Sequence, residues 1–439
     1  MTFFQRKLLV AAVALTTTAG VGCDFNIEDP NRVGEDAVFN TRDGLVNAAI
    51  GLQQLYNVGA LDNVVVTSAI TTRELAANTT FANLLELEDG GATLDNTNAT
   101  VGNLFLQLNR VLGFAEDIDA GVRATSAVGA EPDLEAGLLA LASFYRAVAI
   151  GTMAQNFEQV ALETDFDGEA TYASNDEAFE RAADLLEEAE ALLATDGAAA
   201  AIPTPAGFDL LNTVRAYRAR YELFAGNDQA AIDAADRVDE GATSTFAYNA
   251  DARNPLFVEL VNGTPDYEAR DNLGLDGLDP ADGRIAFYTA PLAETSEPNG
   301  FDIDDVTGFA AGGPEATLPA FLPGELDLIR AEASLNLGRT DDAVDFIDAV
   351  RTKSATDDPF GVGAGLGAYG GAEDDASLRQ EIFLQRSAEL YLQGLRLVDS
   401  RRLGGQDVGS GPFERTRTFY PYPFQERNAN PNTPADPAI

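Results

Sequence analysis

The chain has 439 residues, 71 acidic side chains against 28 basic ones, no His, no Trp, one Cys and two Met, for a formal charge of −43. The lack of His excludes Ser-His-Asp and Cys-His nucleophilic machinery and His-ligated zinc or haem, and a lone Cys excludes an intramolecular disulfide, a Cys-rich zinc site and an iron–sulfur cluster. The negative field repels phosphate backbones, so no nucleic-acid partner is expected, while 45% hydrophobic content with 25 Phe and 12 Tyr supplies a sizeable core.

The basic residues are 26 Arg and two Lys, Lys7 and Lys353. Many acids with almost no Lys suit a protein bathed in concentrated salt, where the Debye length falls to about 3 Å at 1 M. Codon usage that favours Arg is the alternative source of the bias.

Residues 1–22 read as an export signal: Arg6 and Lys7 form a positive start, Leu8 to Leu15 a short apolar core, and Thr16 to Gly22 a small, polar end. The apolar core is too short to cross a bilayer, which takes about 20 residues. The sole cysteine, Cys23, follows Gly20-Val21-Gly22. A small residue before a lone Cys resembles a bacterial lipobox, although Gly20 stands where that pattern prefers a branched apolar residue. The resemblance implies a diacylated Cys23, and two acyl chains make a stable anchor. No later segment reaches 18 uninterrupted apolar residues, so the expected body is soluble and touches the membrane through the anchor alone.

Residues 24–40 look like an extended lead-in. Asp43 to Tyr56 carries Leu45, Ala49, Leu52 and Tyr56 at helical spacing. Residues 61–100 are rich in Thr and Asn without a clean period and are expected to be irregular with short helices. Helices follow over Leu104 to Ile118, Leu134 to Phe157 and Asp176 to Leu193, the last with capping residues and acids at its positive end.

Ala219 to Val238 and Ala331 to Val350 resemble each other at an offset of 112 residues, sharing Gly226/Gly338 and Ala231/Ala343. Each reads as helix, turn at Gly, helix, like a tetratricopeptide hairpin. Leu134–Phe157 with Asp176–Leu193 is a candidate third hairpin, and a fourth starts near Ser377. Residues 242–320 break the helical pattern. Their acids Asp271, Asp276, Asp279 and Asp282 suggest calcium by composition, but the spacing does not fit an EF-hand, so solvated turns are expected and no cofactor is assigned.

In this order the segments resemble the SusD/RagB family of surface nutrient-binding lipoproteins. The carrying residues are Cys23 with Asp29-Pro30-Asn31, Phe144-Tyr145-Arg146-Ala147, the stretch Ala331 to Arg351, and the tail Tyr422-Pro423 to Asn430-Pro431. Most specific is Glu381 to Gly404, where Arg386, Glu389, Leu390, Gly394, Arg396, Asp399 and Arg402 match, while Gln385, Gln393 and Leu397-Val398 depart. The resemblance implies an all-α, SusD-like fold spanning 23–439 as a single domain. Its helical hairpins would lie at about 134–240 and 322–404, and the irregular regions 61–100 and 242–320 would form the ligand face.

It further implies a non-enzymatic lid on the outer face of the outer membrane, above a SusC-like TonB-dependent barrel that receives an oligosaccharide or peptide. Without Trp, any sugar platform must be Tyr or Phe. The candidates are Arg73, Asn78 and Phe81 in the first irregular region and Phe287, Tyr288 and Phe301 in the second. On a helix, Arg386 and Glu389, and likewise Arg396 and Asp399, are neighbours at i, i+3 and read as structural ion pairs. Alternatives from other classes are a periplasm-facing tetratricopeptide scaffold and a glycoside hydrolase, which needs only two carboxylates.

Overall fold

The computed structural model describes residues 38–165, 167–292, 300–404 and 415–439. The leader 1–22, Cys23 and Asp29-Pro30-Asn31 lie outside the described residues.

Helix α1 (Arg42–Asn57) starts at Thr41, whose hydroxyl accepts the Gly44 N–H at 3.1 Å. α2 (Leu61–Thr71) leads to strand β1 (Leu75–Ala77) and α3 (Ala82–Asp89). α2 and α3 are short helices of the kind expected within 61–100, although no period marked where they fall. Val64 to Thr71 is buried on every side, so α2 has no polar face and the sequence no 3.6-residue period. α4 (Ala99–Ala124) begins at Asn98, which caps the N–H groups of Thr100 and Val101.

α5 (Pro132–Asn156) is long and apolar enough to cross a membrane, yet its apolar stretch is wholly buried inside the protein. Close approach of its neighbours explains how. A Cβ on Gly137 would lie 2.4 Å from the Ala198 carbonyl, and one on Gly151 would lie 2.3 Å from the Tyr221 ring. Gly151→Ala is therefore expected to lower stability by about 1–3 kcal/mol through overpacking. The urea midpoint measures it, and an unchanged midpoint would show that the ring shifts freely.

The hairpin β2 (Gln159–Ala161) and β3 (Tyr172–Ser174) feeds α6 (Asn175–Leu193), which opens with a Ser174–Glu177 capping box. After the short α7 (Ala198–Ala201) come α8 (Leu210–Phe224) and α9 (Asp228–Ala235). Then follow β4 (Thr245–Phe246), α10 (Pro255–Leu260), β5 (Tyr267–Arg270), α11 (Gly283–Tyr288), β6 (Thr289–Pro291), β7 (Ile303–Val306), α12 (Gly308–Ala311) and β8 (Leu318–Pro319). α13 (Pro323–Asn336), α14 (Thr340–Thr352), α15 (Asp375–Glu389), α16 (Arg396–Leu403) and α17 (Phe424–Ala429) complete the order.

The two hairpins found by internal similarity, α8–α9 and α13–α14, turn identically. Gly226 and Gly338 are left-handed at φ 79° and 73°. The next N–H reaches back to Glu222 in one and Ser334 in the other, at 2.8 Å in both. Ala231 and Ala343 are fully buried where the helices meet.

The described residues are 55% helix and 7% strand. Three small sheets accompany the helices, and the largest has the order β1-β5-β7-β6 with every pair antiparallel. It joins the two irregular regions, because Leu75–Ala77 pairs with Tyr267–Ala269.

The stretch 381–404 is not one helix. Leu392 (φ 56°) and Gly394 (φ 73°) break it between α15 and α16. Arg386 with Glu389, and Arg396 with Asp399, are not each other's partners; most of the ion pairs run between elements, and the pair of Asp399 with Arg402 stays within α16. Arg386 Nε donates to Asp399 at 2.9 Å, Asp399 also takes Arg402 at 2.7 Å, Glu389 takes Arg284 and Lys353, and Arg396 lies 3.8 Å from Glu74.

Candidate functional site

Arg73 ends α2 in a left-handed conformation at φ 60° and is buried. Its guanidinium lies 5.8 Å from the Phe301 ring centre, and that of Arg270 lies 4.4 Å from the same ring. Phe301 is only 5% exposed, because it packs with Ala76 and Ile303 on the outer face of the four-stranded sheet. Covered in this way, the ring has no free face to offer a sugar.

Asn78 follows β1, is exposed, and donates its N–H to the Asp266 carbonyl at 2.8 Å. Phe81, just before α3, is 56% exposed. Phe287 and Tyr288 stand apart from these four. They belong to an aromatic cluster with Phe309, Phe360 and Tyr391, and the Tyr288 hydroxyl donates to the Glu389 carbonyl at 3.0 Å.

Glu268 on β5 faces Asp305 on β7, by the register that pairs Ala269 with Asp304. Burial first, then repulsion from Asp305, pushes its carboxyl up to about 7, against a hydrogen bond from Asn78. Folded Glu268 thus holds its proton where the unfolded chain, with a value of 4.5, has lost it. Its contribution makes stability fall as pH rises from 4.5 to about 7, with the full cost present above that. Glu268→Gln is expected to flatten this limb in urea titrations at successive pH values; an unchanged slope would show that Glu268 does not cause it.

Below this sheet lies a feature that sequence reading missed. Among the described residues, the non-glycine residues with left-handed backbone are Arg73, Asn272, Leu273 and Leu392, and they gather around Glu74. The Glu74 carbonyl accepts the Arg270 N–H and the Tyr391 hydroxyl at 3.0 Å each, and its carboxylate accepts the Leu392 N–H at 3.0 Å. Arg396 bonds the Leu273 carbonyl at 2.9 Å. The sheet is thereby clamped to the turn between α15 and α16.

Among the described residues, an open groove of about 1210 Å³ lies between α4, the chain at 161–172 and the segment around α17. Phe105, Phe114 and Tyr172 give it aromatic edges, and Asn103, Asn109 and Asn430 give it amides. Leu106 is 54% exposed on its wall, and Gly102 leaves open space where a side chain would stand. An amide network extends behind its Asn98 and Asn103. Asn103 donates to Asn63 at 2.6 Å, Asn63 to Asp62 at 2.8 Å, Asn83 to the Thr100 hydroxyl at 2.8 Å, and Asn98 to the Asn83 carbonyl at 2.8 Å. Phe81 stands two residues before Asn83 and does not itself line the groove. The amides at 98, 103 and 109, beside apolar 105 and 106, were the signal available in the sequence.

The acids of Asp271–Gly283 are structural in part. Asp282, expected among solvated turns, is 2% exposed, caps α11 and pairs with Arg284 at 2.7 Å. Among the described residues, no group of three or more His, Cys, Asp or Glu is placed to hold a metal ion.

No protein-family model and no curated protein matches the chain. Solved structures do. A SusD superfamily protein from Bacteroides thetaiotaomicron superposes with a TM-score of 0.71 at 13% identity, covering 91% of this chain and 100% of that one. NanU of B. fragilis gives 0.70 at 14%, covering 94% and 99%. A SusD-like carbohydrate binding protein from Bacteroides vulgatus gives 0.68 at 15%, covering 90% and 97%. The chain has the SusD fold, a mostly helical one, as the motifs in Glu381–Gly404 imply.

Proposed function

We propose that this protein is a lipid-anchored receptor that captures an oligomeric nutrient, a glycan or a peptide, and passes it unaltered to a TonB-dependent barrel. The observation that carries the reading is the open groove with amides and aromatic rings along it; exposed Phe81, two residues from Asn83, is added as an outlying contact for the ligand. Amides and carboxylates exchange hydrogen bonds with sugar hydroxyls or peptide groups, an exposed ring packs on an apolar ring face, and an open trough admits a chain longer than itself. The carbohydrate-binding neighbour of the same fold adds support for a glycan. A tether at Cys23 would hold such a lid near its barrel at a high effective concentration.

The test is calorimetric titration of the purified body against a panel of oligosaccharides and peptides. Phe81→Ala is expected to weaken the binding found by tenfold or more while leaving stability within about 0.5 kcal/mol, as for an ordinary surface change. Undiminished affinity would remove Phe81 from the site, and no binding across the panel would defeat the capture reading. Release of reducing ends from a bound glycan would make the protein a hydrolase. Labelling with radioactive palmitate, lost in Cys23→Ser, tests the anchor, and protease added to intact cells tests exposure.

A further inference from the structure

Arg270 is anomalous in a chain with 71 acidic residues. Its side chain is four-fifths buried, and its nearest carboxylate, on Asp271, is 4.0 Å away. Its Nε is buried without a hydrogen-bond partner. Burial is the largest influence on the group and lowers its pKa, with Asp271 and Asp276 opposing. By contrast, the buried Arg220 is held by both oxygens of Glu325 at 2.5 and 2.7 Å. A largely buried arginine whose nearest carboxylate is 4.0 Å away is costly unless something else uses it.

Its geometry is that of a preorganised anion receptor. Stacking at 4.4 Å on Phe301 fixes the guanidinium against the ring. Phe301 is in turn held by Ala76 and Ile303 in the sheet. The N–H groups that remain lie in one plane, the arrangement that grips a carboxylate through two parallel hydrogen bonds. Arg73 lies 5.8 Å from the same ring.

We infer that Arg270 is a recognition residue for a carboxylate on the captured oligomer, and that the oligomer is a glycan containing uronic-type acidic sugars. The inference rests on the capture reading above. The surroundings favour a sugar over an acidic peptide. Asp302 and Asp304 both act on neighbouring Asp271, so the rim around the guanidinium is rich in carboxylates. Such a rim accepts hydrogen bonds from the hydroxyls that each acidic sugar carries beside its carboxylate, whereas a glutamate side chain carries none.

The experiment compares trigalacturonate with its neutral methyl ester, and with triglutamate, in concentrated salt that screens the general negative field. Trigalacturonate is expected to bind about tenfold or more tighter than the ester, the gain typical of a charged hydrogen bond. Arg270→Gln should abolish that preference, and Arg270→Lys should keep only part of it because it cannot make the paired bonds. Unchanged circular dichroism of both variants shows that they fold; if Arg270→Gln does not, the acid-to-ester ratio of Arg270→Lys decides alone. Equal affinity for acid and ester, or a preference that survives Arg270→Gln, overturns the inference and leaves the capture reading standing. Arg270-dependent binding of triglutamate without trigalacturonate overturns the sugar assignment. No binding of these probes, with a neutral glycan of the panel bound, also overturns the inference alone, whereas no binding of any panel member overturns both.

Discussion

Glu389→Ala is expected to destabilise the fold by about 3–5 kcal/mol, the range for removing one partner from a buried ion pair. Glu389 is fully buried at the end of α15 and takes Arg284 at 3.2 Å and Lys353 at 2.5 Å. Its removal leaves Arg284, itself fully buried, with Asp282 as its remaining carboxylate, and Lys353 with Asp358 at 2.6 Å. The two cations were desolvated for three acids and would then share two. α13 also packs tightly here, since a Cβ on Gly324 would lie 2.0 Å from the Glu389 carboxylate. Truncation therefore opens a polar void beside the first turn of α13. Glu389→Gln, which keeps the shape, should cost less. Glu131→Ala, which breaks an exposed pair with Arg42 at 2.7 Å, should shift the urea midpoint far less than either. Equal shifts for Glu389→Ala and Glu131→Ala would show that burial of the network contributes nothing.

The second large effect is expected at Gly274. Its φ of 68° puts it in the left-handed region, where a Cβ costs about 1–2 kcal/mol. A Cβ there would also lie 1.9 Å from the Arg73 carbonyl oxygen. That carbonyl belongs to the backbone leading into β1, and the backbone must move; forced repacking of this kind adds about 1–3 kcal/mol. Gly277→Ala supplies the control, because Gly277 has φ 86° with nothing within 4 Å of the added atom. Gly274→Ala should lower the urea midpoint clearly more than Gly277→Ala. It should also weaken ligand capture, since the displaced strand carries Arg73 at one end and Asn78 at the other. Equal midpoints for the two variants would mean that the close approach is relieved at no cost.

What could be read from the linear chain follows from burial on one side. α6 was legible because Ala178, Ala182, Leu185 and Leu186 face the core while Glu180, Asp184 and Glu187 do not. Both hairpins were legible because a left-handed turn selects Gly at 226 and 338. α2 was not, because residues buried all round carry no period. Among the candidate ligand residues, Phe81 and Asn78 are exposed, whereas Phe301, Tyr288 and Arg73 are buried. A residue type does not state which side of its ring a neighbour covers. Arg270 was passed over for the same reason: only its lack of a close partner marks it, and partners are a property of the fold.

The sequence by itself determined the helical class, the repeated hairpins and the order of motifs that resembles the SusD/RagB pattern. These depend on local spacing, which the chain carries wherever it goes. Tertiary structure decided the rest. Arg386 pairs with Asp399 across the turn, and not with Glu389 on its own helix, because Leu392 and Gly394 fold α16 back toward α15. The groove exists because residues near 100, 165 and 425 meet, and no local signal encodes a space whose walls lie so far apart along the chain.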